Sequence, residues 1–287
     1  MKEKADKKRS QYGEIWRRLR KNKLAVVSLV VIILMFLVAI LAPYLAPYPY
    51  DKEDFSQSFA RPSREHLLGT DRLGRDILSR LIYGSRQSLQ MGLYSTILAA
   101  ILGILIGAVS GYYGGWVDNL LMRILDIYQG IPMFLLCVTL AAVLGPSLRN
   151  AVIAIGISSI PIYARLMRAS VLTVGDAEYI EAARAINASN ALIIFREIIP
   201  NAIPPLIVSI TMNMGTAVLS GAALSFIGLG VEAPIPEWGA MISDARSFLR
   251  EHGELALYPG ICIMITVLAF NLLGDGLRDA LDPRLKN

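Results

Sequence analysis

The residues that could do chemistry in this 287-residue chain are few, and most familiar reactions lack their parts. Only two histidines, His66 and His252, and two cysteines, Cys137 and Cys262, are present, which excludes a histidine-rich ligand set. The cysteines lie in separate apolar stretches without CxxC spacing or a neighbouring histidine. That pattern predicts buried packing residues, not a disulfide framework or a metal site. Neither a GxSxG nucleophile elbow nor an HExxH zinc pair occurs, and Gly274-Asp275-Gly276 has no second aspartate motif to work with. No Gly-Lys pair exists from which a Walker A loop could be built, so ATP hydrolysis is not expected on this chain.

The remaining candidates are polar residues in apolar surroundings. Asn213 lies in the middle of a long apolar run, where a buried amide needs partners. Hydrogen bonding between helices is the expectation, with contact to a solute as the alternative; Asn213 and Met214 are therefore the candidates for a translocation path. Arg123 and Asp126, one helical turn apart, are expected to pair structurally and not to relay protons. Gly103, Gly107 and Gly111, at four-residue spacing, predict a face where two helix backbones approach closely.

What must position these residues follows from the charges. Hydrophobic residues make up 54% of the chain, charged residues 18%, and the mean hydropathy is +0.51. Six stretches carry no Asp, Glu, Lys or Arg: Leu24–Tyr50, Gln87–Val117, Ile127–Leu148, Asn150–Ala164, Ile198–Val231 and Leu255–Gly274. Together they span 149 residues, so all 51 charges fall in the other 138. A soluble helix needs a wet face and interleaves its charges; here they are segregated, and five stretches are long enough to cross a hydrocarbon core. The expected fold is all-α and polytopic, with six transmembrane helices near 24–42, 89–112, 120–145, 150–168, 201–222 and 256–273.

Residues 1–23 hold ten Lys/Arg against three acids, a net +7 where the whole chain carries +5. This local excess reads as positive-inside orientation, not as a nucleic-acid surface. Both termini are accordingly expected in the cytoplasm. Within 1–23, Ile15, Trp16 and Leu19 share one face of an amphipathic helix suited to lying on membrane lipids. The apolar run 24–42 is too long for a signal-peptide core and is expected to be a retained first helix. Segments 43–88 and 223–255 then fall outside the cell, 169–200 inside, and 276–287 forms a cytoplasmic tail. Thr70-Asp71 is the expected cap of the helix that carries Ile77.

Segment 169–200, ASVLTVGDAEYIEAARAINASNALIIFREIIPN, contains two helical runs separated by Asn187-Ala188-Ser189-Asn190. Asparagine tolerates left-handed backbone or caps the following helix. A helix–turn–helix at a membrane surface, with Ala182 and Ala183 exposed, suits docking into a groove on another protein.

This segment resembles the EAA loop of permease subunits in ATP-binding-cassette importers. Glu181-Ala182-Ala183 and Pro200 are in register with the family pattern, whereas the usual glycine position is Asn187. Asparagine is the residue that most readily replaces glycine at positive φ, so the turn is expected to survive. Further blocks, His66–Leu89, Trp16–Ala25, Leu224–Ile242 and Leu272–Lys286, resemble the C-type permease of dipeptide/oligopeptide/nickel importers. The resemblance runs over nearly the whole chain from about residue 10. It implies a type I ABC importer permease fold, with residues 89–275 as the common transmembrane domain. It also implies a homologous second permease as heterodimer partner, two cytoplasmic ATPases that bind ATP and Mg, and an extracytoplasmic solute-binding protein. No cofactor is expected on this chain itself. In the resemblance, Ala177, Glu178, Tyr179, Glu181, Ala182, Ala183, Arg184, Asn187 and Pro200 form the surface that couples to the ATPase. Di- or oligopeptides are the implied solutes, with nickel or another small solute as the alternative. An ion-coupled secondary transporter would be expected to carry acids inside its membrane stretches, and none of the six contains one.

Overall fold

Capping chemistry and apolar length divide the chain into ten principal helices over residues 11–281, the part that the computed structural model describes. Residues 1–10, 282–287 and the side chains of Gln11, Tyr12, Glu14 and Ile15 lie outside it, and with them five of the ten basic residues at the start and the end of the expected tail. The helices are α1 Gln11–Leu19, α2 Lys23–Ile40, α3 Ile77–Tyr113, α4 Gly115–Gln129, α5 Met133–Leu144, α6 Leu148–Val174, α7 Glu178–Ala185, α8 Pro204–Phe226, α9 Trp238–Ala245 and α10 Glu254–Leu281. Helices α2, α3, α6, α8 and α10 are each long and apolar enough to cross a membrane. The expected third span is instead two helices, α4 and α5, bent by 82°. Gly130-Ile131-Pro132 explains the break: proline has no N–H for the ladder and pushes the residue before it out of the helical region.

Three spans extend well beyond their charge-free cores. Helix α3 begins at Ile77 and not near 89, because the Asp76 carboxylate accepts hydrogen bonds from the Ser79 amide and hydroxyl, each at 2.7 Å. Thr70-Asp71 is therefore not the cap. Asp71 instead accepts from the amides of Leu73 and Arg75, folding the loop before the helix. Helix α6 continues to Val174, and α10 continues to Leu281 through Asp275, Arg278 and Asp279.

The most extensive helix contact joins α3 to α6, and the glycine column makes it. A Cβ at Gly103 would stand 2.5 Å from the Tyr163 Cβ, and one at Gly111 would stand 2.8 Å from the Val171 Cβ. At Gly107 it would overlap the Ala164 carbonyl oxygen. Helix α8 packs on this pair, α10 packs on α8, and α2 lies along α10. Leu19 of α1 is buried beside Gly276 and Ala280 of α10, while Trp16 is half exposed. One end of the bundle thus carries α1, the segment 175–202 and the close of α10.

Candidate functional site

Three features of the bundle could act: the turn between α6 and α8, a cavity beside it, and a platform at the opposite end.

The turn is fixed from inside by apolar anchors. Ile180 of α7 is fully buried against Val171, Ile193 and Ile198, together with Ala108 and Met167 of α3 and α6. Asn187 has φ +57°, the left-handed conformation that glycine adopts most readily, and its backbone amide donates to Arg184 O at 2.9 Å. Ser189, and not an asparagine, caps the next turn by accepting from Leu192 N. Tyr112 at the end of α3 holds the turn through its hydroxyl, which donates to Asn190 Oδ1 at 2.8 Å, and through its ring beneath the Arg184 guanidinium.

The predicted coupling residues divide accordingly. Glu178, Tyr179, Glu181, Ala182, Arg184 and Asn187 are exposed, and Ala177 is half-buried. Ala183 departs from expectation: it faces the Ile180 cluster and is half-buried, because helical periodicity turns it inward next to exposed Ala182. Pro200 also departs, since α8 opens at Pro204. Between them runs a π-helical stretch, Ile193–Ile198, where Ile199 N–H reaches back to Ile194 O and Pro200 has no N–H to continue the ladder. Sequence reasoning missed Ile186, which is 80% exposed, and Phe195, 59% exposed. The available signal was an isoleucine directly before a left-handed asparagine.

The cavity measures about 970 Å³ and lies between α6, α8 and α10. Ser170, Asn201, Ser209, Asn213, Thr216 and Asn271 place neutral amides and hydroxyls along a lining that is otherwise largely apolar, with Leu166, Val208 and Met212 among its members. Arg278 is the cation on its lining, 3.7 Å from the Asp275 carboxylate. Asn213 does not bond between helices, as had been expected; its amide donates to Ser209 O and Ser209 Oγ at 2.9 and 3.1 Å on its own helix. Met214 turns away from the cavity and packs beside Leu89 and Phe270, one residue being a rotation of about 100° on a helix.

Two further ion pairs join α4 to α6. Arg168 donates through Nε and Nη2 to both oxygens of Asp118, which also accepts from Ser110 Oγ. Asp126 pairs with Arg165 at 2.7 Å, not with Arg123, so the expected pair within one helix is replaced by one between helices.

At the opposite end, Arg75 and Arg80 are almost fully buried side by side. Arg75 Nε donates to Asp71 at 2.7 Å, Asp244 lies 3.6 Å from Arg75, and Arg80 donates to the Tyr50 and Pro234 carbonyls. Ser88 Oγ donates to fully buried Glu237 at 2.7 Å, and Trp238 Nε1 donates to Leu81 O at 3.1 Å. Two adjacent guanidiniums and a buried carboxylate are tolerable only with such partners. They lock the chain around 48–76 and 232–248 onto the first turns of α3.

Comparison with known proteins accounts for this arrangement. Residues 103–287 match the family described as binding-protein-dependent transport system inner membrane component, and residues 10–62 match the N-terminal TM domain of oligopeptide transport permease C. The dipeptide transport system permease protein DppC of Alkalihalophilus pseudofirmus is 48% identical over 97% of this chain and 91% of its own length. The glutathione transport system permease proteins GsiD of Pectobacterium atrosepticum and Escherichia coli O6:K15:H31 are 42% and 44% identical over 97% and 99% of this chain, covering 93% and 94% of theirs. Among solved structures, inward-facing forms of the MetNI methionine ABC transporter share the fold, with a TM-score of 0.59 at 19% identity over 72% of this chain and 98% of that one. The chain belongs to the binding-protein-dependent inner membrane component family and is a multi-pass permease subunit of an ABC importer, a transport protein and not an enzyme.

Proposed function

We propose that this subunit forms half of a translocation pathway for di- or oligopeptides and is driven through the turn at 175–202 by a cytoplasmic ATPase. An ABC importer permease works with ATPase and binding-protein partners. The finer assignment docks one of two ATPases on this turn and the other on the matching turn of a homologous permease, with the solute-binding protein on the outer face of the 48–76 and 232–248 segments, which buried Arg75, Arg80 and Trp238 hold in place from within. The ten basic residues of 1–23 favour a cytoplasmic location for that end of the chain, and hence for the turn.

One observation carries this reading: a 970 Å³ cavity whose lining carries neutral amides and hydroxyls lies directly beside an exposed, internally anchored helical turn. Such a lining suits the amide groups of a peptide, and dipeptide and glutathione are the solutes in the names of the relatives. ATPase closure would press Glu178, Glu181, Ala182 and Ile186, and Ile180 would transmit the load to α6, tilting it against α8. The turn is then a two-state element biased from a distance.

In transporter reconstituted with its ATPases and binding protein, Glu181→Lys and Ile186→Asp should each lower ATP-driven uptake roughly tenfold or more. Membrane insertion should be unchanged. Full uptake by both variants would refute the docking surface. Mass spectrometry of the solute carried by the co-purified binding protein tests the other half, and a nickel chelate or a sugar there would overturn the peptide assignment.

A further inference from the structure

Past the inner end of the main cavity lies a second, much smaller one. Asn213 and Thr216 border both, so these two side chains form the partition between them. The small cavity measures about 10 Å³, and Thr96, Ser159, Tyr163 and Ser220 contribute the rest of its polar lining. Tyr163 is 1% exposed and Thr96 3%, and their two hydroxyls face one another without either making a well-formed hydrogen bond to the protein. Two of the neighbouring groups are already engaged. Ser159 Oγ already donates to Ile155 O, and the Asn213 amide nitrogen is engaged by Ser209.

A buried hydroxyl without a partner is unfavourable, and a volume near one probe sphere accommodates one water when the walls are polar. A hydroxyl both donates and accepts, so Tyr163 and Thr96 can each satisfy one side of such a molecule, and Asn213 Oδ1 and Ser159 Oγ remain as acceptors. We propose that this cavity is a water-binding site, a hydrated joint where α3, α6 and α8 meet at the closed end of the main cavity. A solute arriving at Asn213 and Thr216 then meets an exchangeable water and not two unsatisfied hydroxyls. That last step rests on the main cavity being the solute route. The water site itself is read without transport, so the two fail separately.

X-ray radiolytic hydroxyl labelling of the assembled transporter in lipid nanodiscs tests it, because bound water generates the radical in place. Tyr163 should be labelled several-fold faster than Phe270, a ring equally buried in an apolar cluster. Thr96→Val should bring the Tyr163 rate down toward that of Phe270. Labelling of Tyr163 no faster than Phe270 in the unmodified transporter overturns the site, and an unchanged rate in Thr96→Val overturns the bridging arrangement. If the valine variant does not fold, the unmodified transporter alone decides.

Discussion

Single residues set the conformation of the turn between α6 and α8, and Asn187 is the clearest case. Its φ of +57° is the value at which a side chain crowds the following carbonyl, a cost that glycine avoids and asparagine partly relieves. Asn187→Gly should therefore leave uptake and thermal stability close to those of the parent. Asn187→Val, with a branched β-carbon in the same place, should destabilise the turn by about 1–2 kcal/mol. Thermal unfolding in detergent, run alongside uptake, would register the difference between the two. Equal behaviour of glycine and valine would mean that the turn does not depend on this backbone state. Ala183 gives the complementary lesson. Ala182 and Ala183 look alike in the sequence, yet one faces solvent and the other the Ile180 cluster, a distinction that only the phase of α7 supplies.

At the scale of elements, the contact of α3 with α6 is the mechanical spine, since it links the platform to the turn. Three glycines permit it, and the four-residue spacing that puts them on one face was legible in the sequence. Gly107→Val should force the helices apart and cost about 1–3 kcal/mol, as over-packing a close interface does. The midpoint of thermal unfolding would report it, and an unchanged midpoint would show that the interface yields. The break between α4 and α5 is hidden in the hydropathy pattern, although Gly130 and Pro132 mark its place. In a charge-free run the apolar length outweighed the proline, and a hydropathy pattern carries no direction. The early start of α3 was missed for the converse reason. Arg80 and Ser88 fall in segment 43–88, expected outside the membrane, whereas the structure buries both against the 232–248 segment.

For the whole molecule, the division of labour is the point of interest. The chain has a conduit-sized cavity and an exposed turn but no phosphate-binding loop, so the energy must enter from another subunit. The purified chain alone should show no ATP hydrolysis above a protein-free control in a phosphate-release assay. Sustained turnover by a preparation free of other subunits would break this assignment.

The sequence by itself determined that this is a membrane protein, roughly where its spans lie, and which segment is the odd polar one between them. Those properties follow from composition over windows of about twenty residues, and hydrocarbon reads composition. The ordered blocks from Trp16 to Lys286 also pointed to the family. Only the tertiary structure decided that Asn213 faces a cavity while Met214 packs away from it, that Asp126 pairs with Arg165, and that Arg75 and Arg80 are buried. The physical reason is the same in each case. A side chain's partner is set by helix rotation and by residues tens or hundreds of positions away, and neither is written in the local pattern.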